Sequence, residues 1–389
     1  MKKNNIMTIS EKNEIVNNII KILIDRMNFL IIGHENPDDD CIASMVAMAL
    51  LIKKLAKKPY IIVPVNIQER YHYLLNICLF NSIELIKDHH NIPDDVDAII
   101  SLDTPKPTMI QSFAMLKDLI FSKNIIRIEI DHHQDSDSEY IGDKGYQLVV
   151  NTSSASEIVG YLALKIQKKQ KYFAELATGE LFTRNLVLAI LTGIVGDSQM
   201  GKFLKSHQEL CYYKLFSTMF SRMLSAKTDM DSANFSSMKE IYAEMTRLSK
   251  LEEECFQYFH KKKQKSKHIA YVILDNQDTG NLPAGIDNDA LITSARAIAD
   301  KLAEESGYLS LVIYYDIPDS SDLIQFRIRR SQVFKEIDLR EILKKFKIKN
   351  GGGHAGAIGF RIEKNKIQNI HKYAKNLIKT IELMCRSLI

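Results

Sequence analysis

The chain has 389 residues, of which 46% are apolar and 26% are charged, and its formal net charge is +4. This length favours two or three domains and provides ample apolar material for their cores. The mild positive charge is compatible with an anionic substrate. It is too small to indicate a protein that coats nucleic acid, so we expect no stable complex with DNA.

Cysteine usage and apolar patterning bear on the compartment. The five cysteines are scattered without a C-x-x-C pair, which indicates neither a zinc site nor a disulfide framework. The polar first residues, to about position 14, lack the apolar core of a signal peptide, and no stretch is apolar enough to span a bilayer. We therefore expect a cytoplasmic protein that does not bind membranes, with a frayed polar segment at its start.

Strand and helix patterns alternate along the first half of the chain. Apolar runs bounded by polar residues predict strands, and apolar residues at helical spacing predict the helices between them. The predicted strands cover residues 28–33, 60–65, 98–102, 125–130 and 148–150, and the predicted helices cover 42–58, 154–169 and 183–195. This alternation predicts an α/β fold with a parallel, doubly wound sheet.

The second half of the chain begins with polar helical segments and then becomes rich in strands. Strands are predicted at 269–274, 309–315 and 323–329, and helices at 289–301, 339–347 and 366–385. The lysine-rich residues 260–268 are interpreted as a solvated connector. We predict a catalytic domain at 15–225, a helical linker at 226–260, and a smaller mixed-sheet α/β domain at 261–389, with the active site in the cleft between the two domains.

Acidic and imidazole side chains follow four of the apolar elements. In an open α/β sheet, ligands bind beyond the carboxyl ends of the strands. Taken singly, these residues are also explained by helix caps and turns, where aspartate is common. Together they form one candidate metal site, made of His34, Asp38, Asp40, Asp103, His132 and Asp197.

The composition of this set indicates the kind of metal. Carboxylates and imidazoles without a thiolate suit manganese, magnesium or iron better than a structural zinc. Six ligands exceed what one ion takes from a protein when it leaves positions open for substrate, so two ions that share a carboxylate fit better. Asp103 stands alone at its strand end and is the candidate bridge. A water held between two such ions would lose a proton near neutral pH and serve as the nucleophile.

Two further segments carry polar residues with simpler interpretations. The tripeptide Asp88-His89-His90 repeats the pattern found at 131–133, but its spacing from the next strand favours a surface turn. In NTSSASE, Ser154 and Glu157 have the spacing of a capping box, which indicates a helix start at that point.

A glycine run and a basic strand suggest an anion-binding surface in the second domain. Gly351, Gly352 and Gly353 would let backbone N–H groups approach an anion, and His354 would add a donor. In QFRIRR, a period of two puts Arg327 and Arg329 on one face of a strand. The alternatives are a flexible turn for the glycines and an exposed edge strand for the arginines.

These motifs resemble the DHH phosphoesterase superfamily. The resemblance rests on the order HxNPDxD (from His34), strand-end Asp103, Asp131-His132-His133, GIVGD (to Asp197) and the C-terminal GGGHAGAIGF, which is similar to the DHH-associated domain. It implies a two-manganese hydrolase of phosphomonoesters or phosphodiesters. It also implies one ion bound by His34, Asp38 and Asp103, and a second bound by Asp40, Asp103, His132 and Asp197.

The resemblance also assigns roles to the remaining motif residues. Asp131 is expected to orient the neighbouring imidazole, and His133 to face the substrate phosphate, so both belong to the catalytic machinery. One residue departs from the family pattern, since Asp39 stands where glycine is usual between the two motif aspartates. Aspartate tolerates the left-handed conformation, so we expect the turn to persist, although an extra carboxylate could weaken phosphate binding.

Within the superfamily, a two-domain chain of this length looks most like the nanoRNase and pAp phosphatase branch. That branch degrades short oligoribonucleotides or removes the 3′-phosphate of 3′-phosphoadenosine 5′-phosphate (pAp). Hydrolysis of cyclic di-AMP or of its linear product pApA is a close alternative, and a non-catalytic nucleotide sensor is another. The exonuclease branch carries further DNA-binding modules, and family II pyrophosphatases lack the GGGH domain. The oligomeric state is left open, with a homodimer as one alternative.

Overall fold

The computed structural model describes nine segments of the chain, which divides into two compact units, Met1–Arg247 and Leu248–Ile389. The described residues are 3, 7–87, 92–122, 125–134, 137–169, 180–225, 237–317, 320–348 and 350–386. The tripeptide at 88–90 lies outside them. Among the described residues, no helix combines the length and apolar character needed to cross a membrane.

The first unit is built on a six-stranded sheet in which every strand is parallel to its neighbours, in the order β3-β2-β1-β4-β5-β6. Its strands are β1 (Asn28–Ile32), β2 (Lys58–Ile62), β3 (Glu84–Ile86), β4 (Ala98–Leu102), β5 (Ile126–Asp131) and β6 (Gln147–Val149). The predicted parallel α/β sheet is therefore confirmed.

Helices cover both faces of this sheet. They are α1 (Ile9–Asp25), α2 (Asp39–Lys54), α3 (His72–Phe80), α4 (Phe113–Ile120), α5 (Ala155–Lys169), α6 (Arg184–Ser198), α7 (His207–Ser225) and α8 (Met238–Met245). Phe29 and Ile31 of β1 pack into the larger core with α2, α5 and α6, while Leu30 and Ile32 pack into the opposite core with α4. Burial on both faces explains why these strands are continuous apolar runs.

Three elements of the first unit differ from the sequence prediction. Helix α1 begins within the segment expected to be frayed, and Thr8 and Glu11 form a capping box at its start. The edge strand β3 was not predicted. Helix α6 continues through Asp197 to Ser198, so this aspartate lies in the last turn of a helix and not in a loop after it.

The second unit contains a mixed sheet in the order β11-β12-β10-β9-β8-β7, which confirms the predicted mixed-sheet α/β fold. Strands β8 and β9 are parallel, and the other pairs are antiparallel. The strands are β7 (Gln264–Lys265), β8 (Ile269–Ile273), β9 (Leu309–Tyr315), β10 (Leu323–Arg330), β11 (Gly351–His354) and β12 (Ala357–Glu363). The helices are α9 (Lys250–Lys261), α10 (Asn276–Gly280), α11 (Asn288–Ser306), α12 (Arg340–Lys345) and α13 (Ile370–Arg386).

The structure also bears on four further sequence interpretations. The stretch expected to be a linker contains α8 in the first unit and α9 in the second, and the lysine-rich connector contains the edge strand β7. Strand β10 pairs with β9 on one side and β12 on the other, so the edge-strand alternative for its arginines is wrong. The glycine run forms strand β11, which pairs with β12, and the flexible-turn alternative is also wrong.

Candidate metal centre

The six predicted metal ligands lie at the carboxyl end of the parallel sheet in the first unit. His34, Asp103 and His132 follow the ends of β1, β4 and β5. Asp38 caps the N-terminus of α2, Asp40 lies in its first turn, and Asp197 comes from the last turn of α6. A parallel sheet gathers strand ends at one edge, which is why residues so far apart in sequence meet here.

Asp103 is at the centre of this cluster. Its Oδ2 lies 3.8 Å from His34 Nε2, and its Oδ1 lies 3.2 Å from His132 Nε2 and 3.5 Å from His133 Nδ1. The same His132 nitrogen is 3.4 Å from Asp197 Oδ2 and 3.9 Å from Asp40 Oδ2. The Asp103 carboxylate thus lies between His34 on one side and His132 on the other, which is the position expected of a shared ligand. Its role as a bridge between two ions stays a prediction.

The backbone at Asp103 is itself unusual. Its φ of 50° lies in the left-handed region, which aspartate tolerates better than most residues. Its N–H donates a 3.1 Å hydrogen bond to the carbonyl of Ile130, which ties the end of β4 to β5. The turn thus places the Asp103 carboxylate beside the histidines that follow β5.

Asp40 is oriented by the N-terminus of a helix. Its two carboxylate oxygens accept hydrogen bonds from the backbone N–H groups of Ala155 (2.5 Å) and Ser156 (3.0 Å), at the start of α5. These N–H groups have no partner within the helix, and the helix dipole favours a negative charge there. The predicted cap at Ser154 is present, since its hydroxyl accepts from the Glu157 N–H, while the Glu157 carboxylate accepts from Ser153.

Asp131 contacts different groups from those that the sequence suggested. Its Oδ1 accepts from the backbone N–H of His132 and lies 2.8 Å from Nδ1 of His133. The His132 ring instead directs its Nδ1 towards the carbonyl of Thr152, at 3.3 Å. Although burial alone would raise the pKa of Asp131, the charges of His133 and Lys3 hold it well below its usual range. Asp131 thus orients the His133 ring and not the His132 ring.

The electrostatics of the ligand cluster favour the binding of cations. Burial and the nearby charge of Asp103 raise the pKa of Asp40 to about 7, and burial and Asp40 raise the pKa of Asp197 well above its usual range. Burial lowers the pKa of His132, but the close approach and negative charge of Asp103 outweigh this and raise the pKa well above the ordinary value. Crowded carboxylates that resist ionisation together are stabilised by bound cations.

Potential ligand atoms of the described residues form three overlapping groups, in each of which the atoms lie no more than 4.8 Å apart. The groups are His34, Cys41 and Asp103; Asp103, His132 and His133; and Asp40, His132 and Asp197. Asp38 is absent from all three groups, although its Oδ1 lies 3.7 Å from His34 Nε2. Asp103 Oδ1 is buried and accepts no well-aligned hydrogen bond within the described part of the chain. Shared members and an oxygen without a hydrogen bond make this donor set suitable for divalent cations.

Cys41 is the residue that sequence reasoning missed. It was grouped with the scattered cysteines, yet it follows Asp40 in the first turn of α2 and its sulfur lies near His34 and Asp103. Burial raises the pKa of its thiol to about 11, whereas a bound divalent cation would favour the thiolate. Cys41 is therefore a further candidate donor beside His34 and Asp103, and the ligand set without a thiolate stays a prediction. The position of Cys41, next to a predicted ligand at a helix start, was the available signal.

Asp39 does not adopt the left-handed conformation that aspartate would tolerate. It is the first residue of α2, and the left-handed residue in this turn is Asn36, with φ of 55°. A Cβ at Gly196 would lie 2.7 Å from the Asp39 Cβ, so Asp39 packs against α6. Asp39 is absent from the three ligand groups found among the described residues.

The predicted substrate residues of the second unit lie on β10 and β11. Arg327 and Arg329 share one face of β10, as the period of two predicted, and Arg329 Nε forms an ion pair with Asp300 Oδ1 of α11 at 3.0 Å. Arg327 Nε is buried without a hydrogen-bond partner among the described residues. Of the two arginines, Arg327 therefore has the N–H donor that is able to bind a further acceptor.

The glycine run has a structural role in strand pairing. Gly353 has φ of 133°, and a side chain there would collide with Ala357 of β12. A Cβ at Gly351 would lie 2.5 Å from the Cβ of Phe360. Gly352 and His354 pair with Gly359 and Ala357, and the His354 side chain is outside the described part. Anion binding by this run stays a prediction.

Comparison with known proteins identifies the class. The DHH family, N-terminal domain, matches residues 28–194, and the DHHA1 domain matches residues 263–380. Together they cover most of the chain, which belongs to the DHH phosphoesterase superfamily and is a hydrolase that acts on phosphate esters. Phosphoesterases of this family use divalent metals, in agreement with the donor set at the sheet end.

One solved structure supports the fold, and a second is reported as a weaker match. An exopolyphosphatase-related protein from Bacteroides fragilis is similar over 95% of both chains, with 17% identity and a TM-score of 0.63. A putative family II inorganic pyrophosphatase from Methanococcus jannaschii matches 88% of this chain and 97% of its own, with 16% identity and a TM-score of 0.41. No curated protein matches the sequence.

Proposed function

We propose that this protein is a manganese-dependent phosphoesterase that hydrolyses short oligoribonucleotides, pAp, or both. The proposal rests on the central position of Asp103. Its carboxylate oxygens lie 3.8 Å from His34 Nε2 and 3.2 Å from His132 Nε2. Oxygen and imidazole ligands suit Mn²⁺, and Mg²⁺ or Fe²⁺ are compatible with the same set.

The described residues support a division into two ion sites. His34, Asp38 and Asp103 would hold one ion, since His34 Nε2 lies 3.7 Å from Asp38 Oδ1 and 3.8 Å from Asp103 Oδ2. The second ion would be held by Asp40, Asp103, His132 and Asp197. Divalent cations bound there would polarise phosphoryl oxygens and lower the pKa of a bound water.

His133 is the proposed contact to the substrate phosphate. Its Nδ1 is engaged by Asp131, which leaves Nε2 as the ring nitrogen able to donate to a phosphate oxygen. Burial lowers its pKa, but the charge of Asp131 outweighs this and raises the pKa, which favours the cationic form. Asp131 thus fixes the orientation of the His133 ring and also favours a proton on its Nδ1.

In the second unit, we propose that Arg327 binds a substrate phosphate. Replacing Arg327 with alanine is expected to raise KM by about 10–150-fold, with little change in kcat, because one charge-assisted hydrogen bond contributes about 1.5–3 kcal/mol. Replacing Arg329 with alanine serves as the contrast. It leaves Asp300 without its ion-pair partner and should lower the thermal unfolding midpoint. Steady-state kinetics and thermal melts separate the two effects, and an unchanged KM for Arg327→Ala would remove its substrate role.

Gly351, Gly352, Gly353 and His354 complete the proposed substrate-binding set. The backbone N–H groups of an outer strand are suited to contacting an anion, which supports this assignment without fixing the substrate. The two-unit organisation and the basic strand β10 support a small anionic substrate.

A comparison of four substrates tests the proposal. Purified protein with Mn²⁺ is expected to release phosphate from pAp or mononucleotides from a five-nucleotide RNA, and chelation is expected to stop the reaction. Preferential hydrolysis of cyclic di-AMP or pApA would replace the proposed substrate and keep the reaction type. Nucleotide binding without hydrolysis of any of the four would refute the enzyme and favour a sensor.

A further inference from the structure

A lysine far away in sequence lies against the strand ends that carry the metal ligands. The side chain of Lys3 is fully buried, and its backbone N–H donates to the carbonyl of Ser138. Its ammonium group donates to the Thr104 carbonyl at 2.7 Å and to Asp131 Oδ2 at 2.5 Å, and lies 2.7 Å from Glu129 Oε1. Two of the three N–H bonds of the ammonium group thus have acceptors, and Glu129 adds an ion pair.

These contacts join the two strands that meet at Asp103. Thr104 follows Asp103 after β4, and Glu129 and Asp131 lie on one face of β5. Lys3 therefore links the left-handed turn at Asp103 to the carboxylate that orients His133. Loss of the ammonium would free both ends of this connection.

The bonds of Asp131 show why the lysine matters to the site. Asp131 Oδ1 serves the His132 backbone N–H and the His133 ring, while Oδ2 is bound by Lys3. Glu129 Oε2 is held separately by the backbone N–H groups of Ile141 and Gly142. Two carboxylates so deeply buried need a cation close by, because a buried charge is costly unless it is paired.

We propose that Lys3 is a positioning residue of the metal centre, which fixes Asp131 and thereby the His133 ring in the orientation needed for phosphoester hydrolysis. This inference rests on the proposed function of that site. None of the Lys3 contacts described above involves the side chain of a predicted metal ligand. Lys3 therefore acts through Asp131 and through the turn formed by Asp103 and Thr104.

Replacing Lys3 with methionine is the first test. Lys3→Met is expected to lower kcat by about 10–100-fold, the usual effect of losing a residue that orients a metal-site side chain, with KM within about threefold of wild type. Lys57→Met is the matched control, because Lys57 is also a buried lysine of the first unit and binds only the Ile24 carbonyl among its described hydrogen bonds. It should retain wild-type kcat.

A double variant separates positioning from stability. Lys3→Met combined with Glu129→Gln removes one cation and one anion, so the buried charge is rebalanced while Asp131 Oδ2 still lacks its partner. We expect its thermal midpoint to approach that of wild type and its kcat to remain as low as in Lys3→Met. Recovery of kcat together with stability would assign Lys3 a purely structural role and overturn the proposal.

Histidine ring resonances provide a readout that does not depend on activity. In metal-free protein labelled with ¹⁵N-histidine, Lys3→Met should shift the ring signals of His133 and leave those of His260 and His371 in the second unit unchanged. An unchanged His133 signal overturns the proposal, even if the wild type hydrolyses all four substrates. A shifted signal in a protein that hydrolyses none of them supports the role of Lys3 and refutes the proposed function alone.

Discussion

Replacing Asp103 with asparagine is expected to lower kcat for phosphoester hydrolysis by at least about a thousandfold. The substitution removes an anionic oxygen from the centre of the ligand cluster, and a metal ion that polarises a phosphoryl group contributes several kcal/mol, at 1.36 kcal/mol per factor of ten. Asparagine also tolerates the left-handed backbone at this position, so the turn after β4 should persist. Steady-state kinetics with saturating Mn²⁺ and metal analysis of the purified protein measure the effect.

Asp97→Asn is the control for this experiment. Asp97 lies just before the opposite end of the same strand, where its carboxylate accepts hydrogen bonds from the backbone N–H groups of Met27 and Asn28. It should keep wild-type kcat, since it lies away from the cluster. If Asp103→Asn retained near-normal activity with full metal occupancy, Asp103 would not bridge two ions.

Gly193→Ala is expected to weaken metal binding at the site of Asp40. Gly193 lies in α6, and a Cβ there would overlap the side chains of Asp40 and Ser156. Alanine favours a helix by about 1 kcal/mol over glycine, yet the overlap should cost about 1–3 kcal/mol and displace the Asp40 carboxylate from the N-terminus of α5. We expect Mn²⁺ affinity to fall by at least about tenfold in calorimetric titrations.

Gly160→Ala separates this effect from general overpacking. Gly160 is also a helical glycine of the same unit, and a Cβ there would lie 2.6 Å from Phe216 in the apolar core. Both variants should be destabilised, but only Gly193→Ala should lose metal affinity. Equal metal affinity in the two variants would show that Asp40 tolerates the displacement or is not a ligand.

The strand-end pattern predicted much of the fold and the cluster because local sequence determines both. Apolar runs such as the one ending at Asp131 are read directly from the chain, and parallel strands bring their carboxyl ends together without further information. The position of Asp103 between His34 and His132 follows from that topology. The same logic explains why the alternation of Arg327 and Arg329 on one strand face was predictable.

Other features depend on contacts that no local pattern encodes. The buried residues of helix α1 begin only at Val16, so its polar start was interpreted as a frayed segment although Thr8 and Glu11 form a capping box. The ion pair of Lys3 with Asp131 joins residues 128 positions apart. Which of the two histidine rings Asp131 contacts depends on the orientation of the side chains. The sequence of residues 131–133 does not determine that orientation.

The way in which Asp40 is held has a consequence for how this site tolerates mutation. Its two hydrogen-bond donors are main-chain N–H groups of Ala155 and Ser156, so exchanging either side chain leaves both donors in place. Proline is the one standard residue that would delete a donor, and at Ala155, the first position of a helix, it would do so without breaking the helix. The orientation of the carboxylate therefore depends on main-chain donors and on close packing, since the side chains of both Asp40 and Ser156 lie against Gly193 and leave no room there for a larger residue.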